Sequence, residues 1–463
     1  MRGYGTRKHK RIQKKTLLAA QLAVAAAAEI DSLLGRGASG GMDFEAVETA
    51  ARRQVLGLAA RAIEQKINAE SSDYAGAFLP CACGGPARYA GRRPKTFQSV
   101  LGELKLERAY YHCPACGSGF CPRDRHLGIE KTCLSPAVVR MIGTVGAMVS
   151  FEEGSQLLEE LAGLTVDASQ VERAAEALGQ EIADDERRYT QSLDETVLPL
   201  TLYMGLDGTG IPMRKGELAG RTGKQPDGSA KTREVKLVAV WSAEARDADG
   251  LPMRDAGSVT YSAAIESAAT PDTAELPSAF AGRVSREAAR RRFHEAPRRA
   301  IIGDGAPWIW NIAQESYPGA IQIVDRFHVK ETLHRTAQAI FGVTSEQSQK
   351  WATERCAELD AGKLHAIIHA LRPHADFPAA VKCGQYIHRN RHRMRYPRFR
   401  EQGLCTSSGV LEAGCKVSIG TRLKRAGMHW TLSGANAIIA LRCCRLSGRF
   451  EDFWERRNQS LAA

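Results

Sequence analysis

The sequence lacks any apolar run approaching the roughly 20 strongly apolar residues that a membrane-spanning helix needs. The nearest candidate, Thr16–Ile30, follows a basic start and therefore imitates a signal peptide. Its apolar residues are mostly alanine, and Glu29 and Asp31 interrupt its end. Because alanine is a strong helix former and a weak hydrophobe, this stretch predicts an Ala-rich helix. We therefore expect a cytoplasmic protein with no membrane partner.

Acidic residues are fewer than basic ones. The chain has 64 Lys and Arg against 52 Asp and Glu, which gives a net charge of +12 and a pI near 9.2. This balance favours a polyanionic partner, by default a nucleic acid, although charge alone does not exclude a membrane surface. The 463 residues suffice for two to four domains, and the 43% hydrophobic content is ample for a core.

The cysteine pattern is not that of a disulfide framework. The twelve cysteines occur partly in clusters and partly alone, which is more typical of a reducing compartment. Two knuckles separated by strand-like runs contain Cys81, Cys83, Cys113 and Cys116. This spacing predicts a zinc ribbon, in which four thiolates hold a structural Zn²⁺ that supplies much of the folding energy. Cys121 and Cys133 are alternative ligands, and buried free thiols are the simpler interpretation.

The regions on either side of this motif have helical periodicity. Residues 1–75 predict a mobile basic arm and two helices around the breaker at 35–41. Residues 134–190 predict a helix from Pro136 to Met148, then two helices joined by a turn at 163–166, the second capped by Ser169. This pair could be a DNA-reading helix-turn-helix. Plain helical packing is the alternative, because the second helix is acidic.

Three apolar strands that end on an acid organise the second half of the chain. Residues 198–207 alternate apolar and other residues and end on Asp207, after which Gly208-Thr209-Gly210 would turn the chain away. Residues 300–304 and 321–325 end in the same way on Asp304 and Asp325. Strands at 234–242 and 258–265 and helices at about 285–296 and from 308 complete the order β-β-β-α-β-α-β. This order predicts an α/β fold of the ribonuclease-H-like kind.

A fourth acid, Glu412, lies in a loop that opens into a helix, which Ser407 or Ser408 could cap. Converging carboxylates without His or Cys beside them suit a hard cation such as Mg²⁺. Two such ions about 4 Å apart can clamp both oxygens of an in-line phosphoryl displacement. The alternative is that each Asp merely ends a strand, since Asp is a common turn residue.

Residues 327–402 have helical spacing and predict an all-α insertion between the last strand and Glu412. At its end, Arg393 and Arg395 are interleaved with Tyr396 and Phe399, a composition that suits phosphates and unstacked bases. A solvated charged surface is the alternative. The basic Gly-rich loop after Asp207 could grip phosphates or be an ordinary hairpin loop. Trp430, near the C-terminus, is expected in the core.

Several blocks of this sequence closely resemble the ISKra-type bacterial insertion-sequence transposases, DDE enzymes related to the Mutator-like group. The blocks are DGTG at 207–210, GDGAPWIWNIA at 303–313, IVDRFHVKETL at 323–333, SSGVLEAGCKVSIGTRLKRAGMHW at 407–430 and GANAIIALRCC at 434–444. The resemblance spans most of the chain. It implies a ribonuclease-H-like catalytic domain interrupted by an all-α insertion, Mg²⁺ (or Mn²⁺) as catalytic cofactor, and double-stranded DNA, at transposon ends and target, as the partner. It also implies a homo-oligomer on DNA and no small-molecule substrate.

Site residues carry over from this resemblance by motif. Asp207, Asp304 and Glu412 match the three metal-binding acids, and Asp325 and His328 match a supporting D-x-x-H signature. Whether Asp304 or Asp325 is the principal second acid stays open. The basic residues expected to contact DNA phosphate near the third acid are Lys416, Arg422, Lys424 and Arg425.

Rival interpretations are a ribonuclease-H-like nuclease that cuts without joining and a non-catalytic DNA-binding protein derived from a transposase. A zinc hydrolase that uses Asp325 and His328 is more remote, since no second His lies at ligand spacing. The expected regions are 1–75 (helices and basic arm), 76–133 (zinc ribbon), 134–195 (helical, with the helix-turn-helix alternative), 196–330 and 405–463 (the two parts of the catalytic domain) and 331–404 (the insertion).

Overall fold

The computed structural model describes residues 19–20, 22–31, 43–190, 197–223, 225, 228–248, 250–268, 278–407 and 409–462. The chain divides into two compact units, one containing Met1–Val145, Phe151–Val171 and Glu455–Ala463, the other Gly146–Ser150 and Glu172–Trp454. Residues 22–31 are helical, as their alanine content predicts, whereas the basic arm and the breaker at 35–41 lie outside the described residues. Within the described part of the chain, no helix has both the length and the apolar character to cross a membrane.

A four-stranded antiparallel sheet is the centre of the first unit. A long helix, α1 (Phe44–Ala69), precedes the sheet. The strands are β1 (Phe78–Pro80), β2 (Pro86–Ser99), β3 (Gly102–His112) and β4 (Gly119–Phe120), and a short helix, α2 (Pro122–His126), follows them. The strands pair in the order β1-β2-β3-β4. One face of the β2–β3 hairpin buries Phe97, Leu104 and Leu106 against Ala60 of α1 and Ile129. The hairpin predicted between the two cysteine pairs is therefore present.

The buried carboxylate of Asp73 connects the loop between α1 and β1 to this sheet. It accepts hydrogen bonds from Arg92 (3.0 Å), Arg123 (2.9 Å) and the backbone N–H of Ala109 (2.8 Å). Burial by itself would raise the pKa of Asp73, but the Ala109 N–H and the two arginines lower it. These contacts therefore stabilise the charged form of the Asp73 carboxylate.

Three helices follow, and their bounds agree closely with the sequence prediction. They are α3 (Pro136–Met148), α4 (Phe151–Ala162) and α5 (Ala168–Arg188). Gly163 adopts a positive φ of 68°, which lets the chain turn between α4 and α5. The predicted cap at Ser169 is wrong, because the side chain of Asp167 accepts from the N–H of Gln170 at 2.9 Å and the helix already begins at Ala168.

A five-stranded mixed sheet is the centre of the second unit. Its strands are β5 (Thr201–Pro212), β6 (Thr232–Ser242), β9 (Thr260–Ala264), β10 (Arg298–Gly303) and β11 (Ile321–Val324), with a small ribbon of β7 (Ala245–Arg246) and β8 (Pro252–Met253). The spatial order is β11-β10-β5-β6-β9. Strands β5, β6 and β9 pair antiparallel, while β10 and β11 run parallel to β5. The parallel returns use crossover helices α6 (Ala279–Arg290) and α7 (Pro307–Ser316), so the predicted order of elements is confirmed.

Two local predictions in this sheet are wrong. Strand β5 does not end at Asp207 but continues through Gly208-Thr209-Gly210 to Pro212, paired with β6 throughout. The glycines serve close packing rather than a turn, since a Cβ at Gly208 would lie 2.6 Å from the Glu234 carboxylate. Helix α6 begins at Ala279, not near 285, because Ser278 caps it by accepting from the N–H of Ala281 at 3.2 Å.

An all-α segment separates β11 from the last part of the sheet unit. It comprises α8 (Arg326–Phe341), α9 (Glu346–Asp360), α10 (Leu364–Leu371), α11 (Pro378–Asn390) and α12 (Tyr396–Glu401). Its two ends meet, since the N–H of Arg326 donates to the carbonyl of Thr406 at 3.0 Å. The segment thus leaves the sheet and returns to it at one place, as expected for an insertion.

The C-terminal segment returns to the sheet through an irregular helix. Helix α13 (Gly409–Gly414) continues as a π-helical turn (Cys415–Gly420) and a short α14 (Thr421–Leu423), followed by α15 (Leu432–Leu446) and α16 (Phe450–Ala462). Trp430 is buried, and its indole N–H donates to the carbonyl of Leu423 at 3.0 Å. The prediction that Trp430 belongs to the core is confirmed.

Candidate active site and metal centre

The strand register aligns three of the predicted acids. Leu206 of β5 pairs with Gly303 of β10, and Gly303 pairs with Val324 of β11. Asp207, Asp304 and Asp325 each follow one of these residues, so they occupy one row across three neighbouring strands. Adjacent strands lie about 4.8 Å apart. The row therefore brings the first two acids onto neighbouring positions at the same edge of the parallel part of the sheet.

Asp207 is fixed within β5 by two hydrogen bonds. Its Oδ1 accepts from the N–H of Gly208 at 2.7 Å, and its Oδ2 accepts from the thiol of Cys415 at 3.2 Å. Burial raises the pKa of Asp207, the charge of Asp304 raises it further, and the two hydrogen bonds and His328 oppose the rise. A cation beside this carboxylate would act against the effect of burial by favouring its charged form.

Asp304 lies in the turn after β10. Its Oδ1 accepts from the N–H of Ala306 at 2.8 Å, and its carbonyl accepts from the Tyr386 hydroxyl at 2.8 Å. Gly305, with a φ of 98°, is a position that requires glycine, because a Cβ there would lie 2.5 Å from the Tyr386 ring. Helix α11 of the insertion therefore determines the backbone path at Asp304.

Asp325 and His328 lie at the start of α8. The Asp325 side chain caps this helix by accepting from the N–H of Phe327 at 2.8 Å. His328 follows one turn later, half-buried, with Nδ1 3.9 Å from a Glu331 oxygen. Asp304 and Asp325 each accept from the N–H two residues further on. They differ in position, since Asp304 follows the strand next to that of Asp207 and Asp325 follows the strand beyond it.

Glu412 lies on the helix that packs over Asp207. A Cβ at Gly205, two residues before Asp207, would overlap the Leu411 side chain, and Cys415 reaches Asp207 itself. Glu412 lies between these two contacts but is exposed. The three carboxylates are not gathered into one tight cluster: in the part of the chain that the structure describes, the only such group of potential ligands within 4.8 Å is formed by four cysteines.

The basic residues predicted near the third acid differ in accessibility. Lys416 and Lys424 are exposed, Arg425 is half-buried, and the Lys424 ammonium donates to the Thr209 hydroxyl on β5. Arg422 is 0% exposed, donates from Nε to the carbonyl of Gly146 at 3.0 Å and lies over the Trp430 ring. This burial contradicts a DNA contact at Arg422, which we assign a structural role.

The basic end of the insertion also divides into buried and exposed side chains. Arg393 is 6% exposed, stacks over Trp310 at 4.4 Å and donates from Nε to Gln322 at 2.7 Å. Tyr396 and Phe399 are buried, so the prediction that they stack on bases is wrong. Arg395 is exposed, and its side chain has no hydrogen-bond or ion-pair partner among the described residues.

Four thiols in the first unit form the metal-binding cluster that the spacing predicts. Cys81 Sγ lies 3.6 Å from Cys116 Sγ, and Cys83 Sγ lies 3.7 Å from Cys113 Sγ. Tetrahedral zinc with Zn–S bonds of about 2.3 Å requires sulfur pairs separated by about 3.8 Å. The separation and the all-sulfur donor set fit a metal such as zinc. Cys121 and Cys133 are not part of this group.

The surroundings of the thiols favour thiolate at one corner of the cluster. The Ser118 hydroxyl lies 2.6 Å from Cys116 Sγ, and this contact together with the Ser118 backbone lowers the pKa of Cys116 to about 6. A Cβ at Gly85 would lie 3.3 Å from the Ala115 Cβ and 3.5 Å from the sulfurs of Cys83 and Cys113, so the knuckles pack closely around this glycine.

Sequence reasoning missed two residues that touch the candidate active site. Cys415 is three positions after Glu412, a helical spacing that could have indicated a shared surface. Tyr386 gave no signal, because it contacts Asp304 across 82 residues of sequence. Only the fold brings these residues together.

Comparisons with known proteins add a remote structural likeness. No family model and no curated protein matches the chain. Among solved structures, the chain is similar to the "Drosophila P element transposase strand transfer complex", with 10% sequence identity, a TM-score of 0.24, and coverage of 75% of this chain and 82% of that chain. Identity and TM-score at this level do not establish a shared fold.

Proposed function

We propose that this protein is a DDE transposase of a bacterial insertion sequence, of the ISKra type, which binds transposon-end DNA and catalyses metal-dependent strand cleavage and strand transfer. One observation carries the proposal. Asp207 and Asp304 occupy aligned positions on adjacent parallel strands, and the helix that bears Glu412 packs directly over Asp207. Acids at aligned positions of adjacent parallel strands are suited to holding cations for phosphoryl transfer.

The topology of the second unit supports a ribonuclease-H-like catalytic domain. Three antiparallel strands followed by two parallel strands, in the spatial order β11-β10-β5-β6-β9, match that arrangement. The all-α segment leaves after β11 and returns before Glu412, where the resemblance to these transposases expects an insertion. Residues 196–330 and 405–463 would form the catalytic domain, and 331–404 the insertion.

The donor set fits Mg²⁺ or Mn²⁺, since Asp207, Asp304 and Glu412 offer only carboxylate oxygens. Bound ions would lower the pKa of the attacking hydroxyl and offset charge at phosphorus. Asp207 has the least freedom, because both of its oxygens accept hydrogen bonds. Glu412 is exposed and would be the acid that moves to complete the site.

The proposed reaction has two displacements at phosphorus. Water attacks the phosphodiester at the transposon end, the bond to the 3′ oxygen breaks, and that oxygen leaves as a 3′-hydroxyl after taking up a proton. This hydroxyl then loses its proton and attacks a target phosphodiester, displacing the target's own 3′ oxygen. Lys416 and Lys424, exposed on the Glu412 side of the sheet, would hold the phosphates on either side.

The N-terminal region, residues 1–195, would supply DNA recognition. Its four thiols would hold a structural Zn²⁺, and the ribbon and helices of residues 1–195 would bind the transposon ends. Because transposition joins two ends, a homo-oligomer on DNA belongs to the same proposal.

The experiment that tests this function is a strand-transfer assay. Purified protein, Mg²⁺ and labelled DNA from the flanks of its reading frame are incubated with a plasmid target. Wild type should give joined products, and Asp207→Asn and Glu412→Gln should abolish them. Asp376→Asn and Glu346→Gln, which change exposed acids of the insertion, are the matched controls and should behave like wild type.

Two other outcomes would contradict the proposal. Nicking without joining would identify a nuclease of the same fold. Binding to the correct ends with neither nicking nor joining would identify a DNA-binding protein that has lost transposase activity.

A further inference from the structure

Two neighbouring cavities lie along helix α7 and form what we term the α7 groove. The first, about 460 Å³, is lined by residues that include Gly305, Trp310, Gln314, Lys382, Arg389 and Arg393. The second, about 480 Å³, is lined by residues that include Gln314, Gln322, His392, Arg395, Arg398 and Phe399. Gln314 lines both, and the Arg393–Gln322 hydrogen bond of 2.7 Å lies at their boundary.

The α7 groove is strongly cationic. Six basic side chains line it, and no carboxylate does so among the residues that the structure describes. The side chains of Lys382, Arg389, Arg395 and Arg398 are exposed and make no hydrogen bond or ion pair within the described ranges. Unpaired cations lining a concave surface focus a positive potential that attracts phosphates.

The arginines of the groove also act on His392, which lines the second cavity. Partial burial lowers the pKa of His392, and the neighbouring Arg393, Arg391 and Arg395 lower it further. Arg283 of the same unit, by contrast, pairs with two acids, Glu186 and Glu266. The described residues that line the α7 groove include no such acid.

The groove starts at the candidate active site. Gly305 follows Asp304 directly, and Tyr386, which lines the first cavity, donates its hydroxyl to the Asp304 carbonyl at 2.8 Å. A DNA strand bound at Asp304 would therefore reach the first cavity directly and then the second cavity.

The size and chemistry of the cavities select among forms of nucleic acid. Each has the volume of a small-ligand pocket, about 460 and 480 Å³, which suits individual nucleotides of one strand rather than a whole duplex. The first cavity also presents amide side chains, Asn311, Gln314 and Gln385, which can both donate to and accept from base edges. An unpaired strand offers the Watson–Crick edges of its bases to such groups, whereas in a duplex those edges are already paired.

We propose that the α7 groove binds an unpaired segment of the DNA strand that leads away from the phosphodiester at Asp207 and Asp304. The inference rests on the proposed function and deepens it. Lys382 and Arg389 contact the phosphates nearest the acids, Arg395 and Arg398 contact the next ones, and the amides face the bases. The strand near the reacting bond is thus separated from its complement when it is bound.

The test measures binding of short fluorescent oligonucleotides by anisotropy in chelator-free buffer without added Mg²⁺ or Mn²⁺, so that no reaction occurs and the thiol cluster keeps its metal. The variants are Lys382→Ala/Arg389→Ala and Arg395→Ala/Arg398→Ala in the full chain. The control is Lys350→Ala/Lys363→Ala, which removes two exposed cations of the same insertion outside the groove. Single-stranded affinity should fall at least about tenfold in each groove variant, and the salt slope should decrease by about 1.4, or about 0.7 per lost phosphate contact.

The comparison of substrates decides whether the groove takes a single strand. Blunt duplex of the same sequence should lose much less affinity than single-stranded DNA in the groove variants. Equal loss for both, wild-type affinity in the groove variants, or an equal loss in the control would overturn the inference. Tighter binding of the matching RNA would overturn the assignment to DNA.

Failure of this inference and failure of the proposed function are separable. Asp207→Asn should keep wild-type affinity for the single strand although it abolishes strand transfer. If the wild type joins strands while the groove variants bind and join normally, only the groove inference fails. If neither the wild type nor any variant joins strands, but the groove variants lose affinity for single-stranded DNA, only the transposase proposal fails. Thermal melting of each variant checks that it is folded.

Discussion

The thiol of Cys415 donates a hydrogen bond to the Asp207 carboxylate, a contact that neither residue type alone would indicate. The thiol is buried and donates to a carboxylate whose other oxygen already accepts from the Gly208 N–H. The two donors fix the plane of the carboxylate within β5. The free lone pairs of Asp207 are thereby directed before any cation binds, which defines Cys415 as a positioning residue.

Replacing Cys415 by alanine should therefore weaken metal use more than folding. Without the S–H donor, the Asp207 carboxylate can rotate, and the Mg²⁺ concentration for half-maximal strand transfer should rise several-fold. Cys415→Ser keeps a donor and should stay near wild type. Titrations of activity with Mg²⁺ and Mn²⁺ measure the change. A lower maximal rate with an unchanged metal requirement in Cys415→Ala would contradict the positioning role.

The sequence predicted the strands that precede the three aspartates better than it predicted the burial of the cationic side chains near Glu412. Asp207, Asp304 and Asp325 were recognisable because apolar runs preceded them, and strand register then places them in one row. Arg422 looked like a phosphate contact because it is basic and close to Glu412. Its partner, the Gly146 carbonyl, lies 276 residues away in sequence. Whether a cation is buried depends on such distant contacts, which local pattern does not contain.

Two tyrosines of the insertion make equivalent contacts with two strand ends of the sheet. The Tyr386 hydroxyl donates to the carbonyl of Asp304 at 2.8 Å, and the Tyr396 hydroxyl donates to the carbonyl of Val324, just before Asp325, at 3.0 Å. The insertion is therefore part of the support of the acids. Spacing on its helices predicted that the segment is helical but could not indicate which side chains reach the sheet.

The two tyrosines form a matched pair for identifying the second acid. Tyr386→Phe and Tyr396→Phe each remove one hydroxyl and should cost about 1 kcal/mol of stability. If Asp304 holds the metal, Tyr386→Phe should lower strand transfer several-fold more than Tyr396→Phe. Denaturation curves and initial rates measure both effects. The reverse ranking of the rates would make Asp325 the principal second acid.

The thiol cluster supports a prediction for the ribbon of β1–β4. Because this small sheet has little core apart from the one shared with α1, metal binding should supply much of its stability. Purified protein should contain one zinc per chain by elemental analysis. Cys113→Ser should lose the zinc and lower the melting temperature of the first unit. Cys133→Ser, which removes an exposed thiol outside the cluster, should retain the metal. Zinc-free wild type with an unchanged melting curve would contradict a structural role.

Charge pairing within the second unit determines how its stability depends on acid. Glu287 on α6 is fully buried and accepts from Thr260 of β9 at 2.6 Å, from Arg290 at 3.0 Å and from Arg449 at 2.9 Å. Although burial alone would raise the pKa of Glu287, Arg449, Arg290 and Thr260 lower it to about 2. One carboxylate thus ties together the sheet, a crossover helix and the segment before α16.

A lowered pKa gives the direction of the pH dependence. The folded state binds the Glu287 proton less tightly than the unfolded chain, so this stability is fully present above the unfolded pKa of 4.5. It should be lost as pH falls from 4.5 towards 2. Glu287→Gln should cost on the order of 3 kcal/mol near neutral pH, because it leaves buried guanidinium groups without their charge partner. Urea unfolding at several pH values, with Glu346→Gln as control, measures both. An unchanged acid dependence in Glu287→Gln would refute the assignment.

The insertion has a consequence for how such a molecule diversifies. The N–H of Arg326 donates to the carbonyl of Thr406, so the two ends of the helical segment are adjacent. The segment is therefore connected to the sheet in the same way as a loop. A lineage can lengthen, shorten or exchange that segment without shifting any strand register. The Tyr386 contact with Asp304 limits this freedom, because a replacement must bring its own support for the acid. The length of the segment can therefore vary, whereas its contact with the acid cannot be lost. An experiment that exchanges the insertion between related chains should keep α11 together with the sheet that it contacts.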